Sequence, residues 1–284
     1  MTRRGWALFI ALGTIWGMPY LFIRIAVESI DPLMIAFGRT FIGALLLLPV
    51  AIHRRALAPA FRHWPWLLVF TLIEISGPWL LIGHAETRIN SSMTGLLIAM
   101  VPLLAAIIVA GLGHERLEPR RIGGLALGFA GVATLVGLDV HVSDWLAVVA
   151  VALSSLGYAV GPIIINRKLS DAPSIGVITA SLAIAAALYA PFAVFYWPSH
   201  VTAAALGSVA ALGVVCTASA FLIFFALIAE AGPARATVIA YVNPLVAVLL
   251  GVIFLNEPFT LGMALGFPMV IVGSFFSAAS RARA

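Results

Sequence analysis

Two side chains could do chemistry at depth in an apolar medium: Arg39, within GRTFIGALLLLPV, and Glu74, within TLIEISGPWLLI; a third charge, Arg24, either joins them or snorkels to the outer interface. Charges buried in hydrocarbon are costly, and where they occur they mark substrate paths and proton relays. On straight helices Glu74 lies near the centre of its segment and Arg39 about three residues from the centre of its own. At about 1.5 Å of rise per residue their depths differ by roughly 6 Å, within reach of an Arg side chain. This spacing predicts an Arg39–Glu74 pair. The pair is either a static structural one that neutralises both charges, or a working one. In the working case Glu74 exchanges a proton or meets the substrate, and Arg39 holds an anionic group. Trp16, Tyr20 and Arg24 recur every four residues and so share a helix face. Aromatic groups with a polar tip can hold an amphipathic solute without stripping all its water. Trp16, Tyr20, Trp79, Tyr158 and Tyr241 are therefore expected around one central cavity, with Met100 and Asn243 beside two prolines at its edge.

The elements that must position these groups are membrane helices. The chain is 63% hydrophobic and 10% charged, with a mean hydropathy of +1.13. A soluble domain is nearer a quarter charged, so the solvent here is lipid. The net charge of +5 then reads as a positive-inside bias, with no nucleic-acid partner implied. One cysteine, Cys216, excludes an internal disulfide and any CxxC site. The first apolar run carries Arg24 and lacks a small-x-small cleavage site, which predicts an uncleaved first helix. Ten segments approach the roughly 20 residues a spanning helix needs: 5–27, 32–52, 65–85, 90–112, 120–138, 143–165, 173–195, 203–229, 234–255 and 260–280. With the N-terminus in the cytoplasm, Arg3, Arg4, Arg54, Arg55, Arg62, Arg116, Arg120, Arg121, Arg167, Lys168, Arg235, Arg281 and Arg283 fall on the inner side. The outer side has Arg88 with Glu28, Asp31, Asp139 and Asp144. Both termini are thus expected inside.

The chain also repeats itself. Met100 to Gly131 matches Val242 to Gly273 without a gap: Pro102 on Pro244, Glu115 on Glu257, Gly124 on Gly266 and Gly131 on Gly273. The reading is of two repeats, 1–142 and 143–284. Five helices per repeat is an odd number, so the second copy is inverted, as in many secondary transporters with a site between the halves. Pro102 and Pro244 are matched helix breakers, and such breaks point to a binding site. Glu115 and Glu257 sit at helix ends and are expected to cap the helix that follows each. Gly124, Gly131, Gly266 and Gly273 read as close helix packing. The position matching Glu74 is Cys216, and the region matching Arg39 holds Thr179, Ala180 and Ser181. The charges therefore belong to one half only, which favours a working role over a structural one.

In these features the sequence resembles the ten-helix drug/metabolite transporters of the EamA type. The resemblance rests on Trp16-Gly17, Asp31-Pro32 before Arg39, and the two sets Pro102, Glu115, Gly124, Gly131 and Pro244, Glu257, Gly266, Gly273. Leu156-Gly157 and Asn243 depart from that pattern. The resemblance implies an all-α integral membrane protein of ten transmembrane helices in two inverted five-helix repeats. It also implies export of small metabolites, amino-acid-like or drug-like, by proton antiport or exchange across the bacterial inner membrane. A lipid or lipid-linked-sugar translocator of the same fold is the alternative, and an intramembrane enzyme is a further one. Enzyme motifs are missing: HExxH fails after His114-Glu115, and GxSxG and a Walker lysine do not occur. No metal and no cofactor is implied. The partners expected are a small-molecule substrate and the bilayer, with a homodimer left open.

Overall fold

The structure, a computed structural model, describes residues 2–113, 118–139, 144–198, 200–232 and 237–278. It is an all-helical membrane protein of ten spans in two inverted five-helix repeats. The first eight spans are α1 (Arg3–Ala26), α2 (Pro32–His53), α3 (Trp64–Glu86), α4 (Ser91–Gly111), α5 (Pro119–Asp139), α6 (Trp145–Lys168), α7 (Ser174–Ala193) and α8 (Ala203–Ala231). Two shorter apolar helices follow, α9 (Ile239–Leu255) and α10 (Leu261–Ser277). Local sequence sets the helix starts. Asp31 accepts from Leu33 N at 2.8 Å ahead of Pro32, and Thr202 accepts from Ala205 N at 3.2 Å. One end of the bundle carries Asp31, Asp139 and Asp144 and is called the acidic end. The other, the basic end, carries Arg54, Arg55, Arg62, Arg120 and Arg121. Trp6, Trp64, Trp66, Trp145 and Trp197 are exposed near helix ends, where an interfacial belt belongs.

Several spans are broken, and the breaks come in pairs. α4 is interrupted after Ile98 and resumes at Val101, with Pro102 in its first turn. α9 passes from a 3₁₀ turn, Thr237–Tyr241, into a helix starting at Asn243, with Pro244 in its first turn. α3 contains a π-helical stretch at Thr71–Ser76, and α8 contains one at Val214–Ser219. Shifting the first by the repeat offset lands within one residue of the second. α1 has a break of its own at Met18, because Pro19 has no N–H to continue the ladder.

The halves meet along α5 and α10, which lie backbone to backbone. A Cβ on Gly124 would stand 2.8 Å from the carbonyl oxygen of Gly273. One on Gly131 would stand 2.7 Å from that of Gly266. Each glycine faces the copy of the other, which is the signature of two repeats related by inversion. α2 packs on α7 across the same axis.

Candidate functional site

The functional side chains gather where α1, α2, α3, α6, α7 and α8 converge. Arg39 is buried on α2. Its Nε donates to Thr217 Oγ1 at 3.0 Å, and its guanidinium carbon lies 3.6 Å above the centre of the Trp79 ring. The phenols of Tyr20, Tyr158 and Tyr189 and the thiol of Cys216 surround it. Thr217 is itself fixed, donating to Leu212 O at 2.8 Å within the π-stretch of α8. Planar guanidinium on planar indole, with one N–H bonded, holds the remaining N–H groups in a set direction.

Glu74 sits in the π-stretch of α3. Its Oε2 is buried with no hydrogen-bond partner among the described residues. It abuts α6 at Gly161, where any Cβ would collide with the carboxyl group. Gly157, one turn earlier on α6, likewise lets that helix lie against the Ile73 carbonyl. Tyr158, between these glycines, stands beside Arg39, Glu74 and Trp79 and links the three. Tyr189 of α7 donates to Ser76 O at 2.5 Å, and the Ser154 hydroxyl of α6 donates to Ala150 O at 2.8 Å with Pro78 O close by at 3.3 Å.

The expected Arg39–Glu74 pair is not formed: among the described residues Arg39 bonds Thr217 and stacks on Trp79, and Glu74 turns to α6. Depth alone suggested the pair, but the π-turn rotates Glu74 away from the direction that 3.6-residue spacing assigns. The structure brings Tyr20, Arg39, Glu74, Trp79 and Tyr158 together and leaves Trp16, Met100, Tyr241 and Asn243 apart. Trp16 packs on Phe224 at 4.9 Å and Phe221 at 6.1 Å, touching the cluster only through α8. The break at Met18 is why it and Tyr20 do not form one stripe. Met100 is enclosed in an apolar cluster with Leu103, Val151 and Val270. Tyr241 ends the 3₁₀ turn and is half-buried. Asn243 ties α9 to α1 when its side-chain amide is turned so that the nitrogen faces Ile239 O at 3.1 Å and Gly13 O at 3.2 Å, the orientation in which it can donate to both. Tyr189 and Cys216 are members that sequence reasoning missed.

A second polar site lies at the acidic end. Asn256, in the left-handed conformation at φ 54°, turns the chain back after α9, and Glu257 N bonds Gly251 O at 3.1 Å. The reversal aims Glu257 at the start of α4, not at α10 as expected from the sequence; Thr260 caps α10 instead, accepting from Met263 N at 3.1 Å. Glu257 accepts from Ser91 N at 2.8 Å, Ser91 Oγ at 2.9 Å, Ser92 N at 2.9 Å and the Ser92 hydroxyl. Asn90 takes the next N–H, that of Met93, at 2.7 Å. The first turn of α4 is thereby capped by the opposite half of the molecule. Gly251 leaves room for the Glu257 carboxylate and the Ser92 hydroxyl. Thr260 donates to Asp139 at 2.5 Å beside this clasp. Glu115, the matching residue at the basic end, lies outside the described residues.

With this geometry in hand, comparison with known proteins decides the family. A family model described as the EamA-like transporter family matches residues 3–137 and again residues 145–279. The chain belongs to that family. It is 32% identical over 256 residues to the uncharacterized inner membrane transporter YedA of Escherichia coli, covering 86% of this chain and 80% of the relative. It is 28% identical over 278 residues to the uncharacterized transporter YvbV of Bacillus subtilis, covering 93% and 88%. A solved crystal structure shares the fold with a TM-score of 0.69 at 20% identity, covering 97% of this chain and 96% of that one. The protein is an EamA-like multi-pass membrane transporter.

Proposed function

We propose that this EamA-like transporter exports small amino-acid-like or drug-like solutes across the inner membrane, in exchange for protons or for another solute. The observation that supports this most directly is the state of Arg39. It is buried, pinned by Thr217 and Trp79, and makes no ion pair among the described residues. A fixed guanidinium without a carboxylate is a receptor for an anionic group. Glu74, with its bare oxygen in the same cluster, would meet an amino group or take a proton. Trp79, Tyr20 and Tyr158 would hold the apolar body between them. The positive-inside bias puts the basic end and both termini in the cytoplasm. Alternating access would then part the halves at one end and close them at the other.

The test is a panel of amino acids, their N-acyl and aromatic analogues, nucleosides and cationic drugs, screened for thermal stabilisation of the purified protein. Hits then go to counterflow in proteoliposomes. Stabilisation by zwitterionic or anionic solutes, lost in Arg39→Ala, is the expected result. Stabilisation by lipid head groups alone would overturn it. Single cysteines in place of Ala58 and Ser29 test the orientation. An impermeant thiol reagent on whole cells should reach the Ser29 position and spare the Ala58 position.

A further inference from the structure

Glu86, the last residue of α3 at the acidic end, has a fully buried side chain. Neither of its carboxyl oxygens has a hydrogen-bond partner among the described residues. Arg24 lies beside it, yet its guanidinium donates to the backbone carbonyl of Glu86, at 2.6 Å, and not to the carboxyl group. The ionisable groups facing Glu86 are Arg24 and Tyr20 from α1 and Glu257 from the turn after α9. α2, α4 and α6 also pack on this part of α3 and contribute no further ionisable neighbour among the described residues. The two acids sit in opposite surroundings. Glu257 is surrounded by two backbone N–H groups and two serine hydroxyls, a set of donors that suits a carboxylate. Glu86 receives none, which suits a neutral acid in a dry site.

We propose that Glu86 is a proton-binding site that governs the clasp between Glu257 and the start of α4. The proton stays on Glu86 while Glu257 is seated on Ser91 and Ser92. When it leaves, the O–H bond breaks and the proton passes to water at the opening acidic end. The charge left behind lies close to a second carboxylate in a medium of low dielectric, and their repulsion lifts Glu257 from its seat. Arg24 then turns from the Glu86 carbonyl to its carboxylate. The cavity next to Arg24, of about 270 Å³ and lined also by Arg88, Asn90, Met93, Asp139 and Asp144, brings water as far as the arginine that bonds the Glu86 carbonyl. The repeat carries no second copy of this device: the positions matching Glu86 and Arg24 are Ile228 and Asn166. The device therefore belongs to the acidic end and has no counterpart at the matched positions of the other.

This inference rests on the reading of the protein as a proton-coupled exporter, so its test does not use transport as the first readout. Met93 is buried beneath the clasp. Met93→Cys in a Cys216→Ala background is labelled with an impermeant maleimide, with and without Glu86→Gln. The ratio of the two rates cancels the ionisation of the thiol itself. The ratio is expected to stay near one at the acid end of the range and to rise about tenfold per pH unit as the proton is lost, as a single titration requires. Arg24→Gln should lower that rise. A flat ratio overturns the proposal. Infrared difference spectra provide a second measurement that does not need E86Q to fold. A protonated-carboxyl band should vanish on raising the pH, both in the parent and in E74Q; its absence from E74Q overturns the proposal. If labelling behaves as expected while no pH gradient drives any panel solute, the exporter reading fails and the Glu86 site stands. If gradient-driven flux persists in E86Q with a flat ratio, the Glu86 site fails alone.

Discussion

In α3 the π-turn precedes Pro78, whose missing N–H breaks the helical ladder just beyond it. In α8 no proline follows. There Thr217 reaches back five residues to Leu212 O and holds the ladder open with its own hydroxyl. The two repeats thus reach the same distortion, at the same place, by different side chains. Each turn is also braced from the opposite half: Tyr189 of α7 secures Ser76 O, and Arg39 of α2 engages Thr217. The shared feature is therefore what the fold requires. Glu74 occurs in only one of the turns, and the other forms with Cys216 and Thr217 in its place. The carboxyl group is not needed to build the turn, which supports the working role proposed for it.

This contrast can be pressed by substitution. Arg39→Ala should have the largest effect, removing the anion receptor and the brace on α8 together. Affinity for the solute found in the panel should fall by about 100-fold, measured by thermal shift or counterflow. Arg39→Lys should rescue little, since an ammonium cannot stack on Trp79 and bond Thr217 at once. Glu74→Gln should come next. It should abolish accumulation driven by a pH gradient and leave solute exchange and thermal stability close to parental. An unchanged pH dependence in that variant would return Glu74 to the structural class. Thr217→Val should destabilise by about 1–3 kcal/mol, since it leaves Leu212 O open and takes away the acceptor for a charged donor. Tyr189→Phe should be mildest, costing about 0.5–1.5 kcal/mol in thermal unfolding through the lost hydrogen bond to Ser76 O. If Tyr189→Phe proved worse than Thr217→Val, the turn in α3 would be the more fragile of the two.

Much of the fold was legible because membrane helices declare themselves in length and composition, and because the repeat fixed their number and inversion. The seam glycines and both proline breaks could be read for the same reason. The site was legible in part. Residue types and depth singled out Arg39, Glu74, Trp79, Tyr20 and Tyr158, but depth says nothing of azimuth. The π-turn changed the azimuth of Glu74, and Pro19 changed that of Tyr20 against Trp16. Pro19 was a readable signal for a helix break; a π-turn, set by contacts between helices, had none as plain. Glu86 escaped because the span was drawn to residue 85, which left it in a loop and in water. Only the packing of α1 and the turn after α9 around it shows that it is buried.

The seam between α5 and α10 explains why the duplication could be seen at all. A change at Gly124 or Gly131 meets the main chain of Gly273 or Gly266, which has no side chain to reshape in reply. Drift elsewhere can be absorbed by a neighbour that changes with it, as Thr217 replaces the work of a proline. Along the seam no such accommodation exists, so divergence stalled there. The stretch in which the halves still spell alike includes the stretch in which they touch bare backbone, and the history of the gene survives where its product has least freedom to vary.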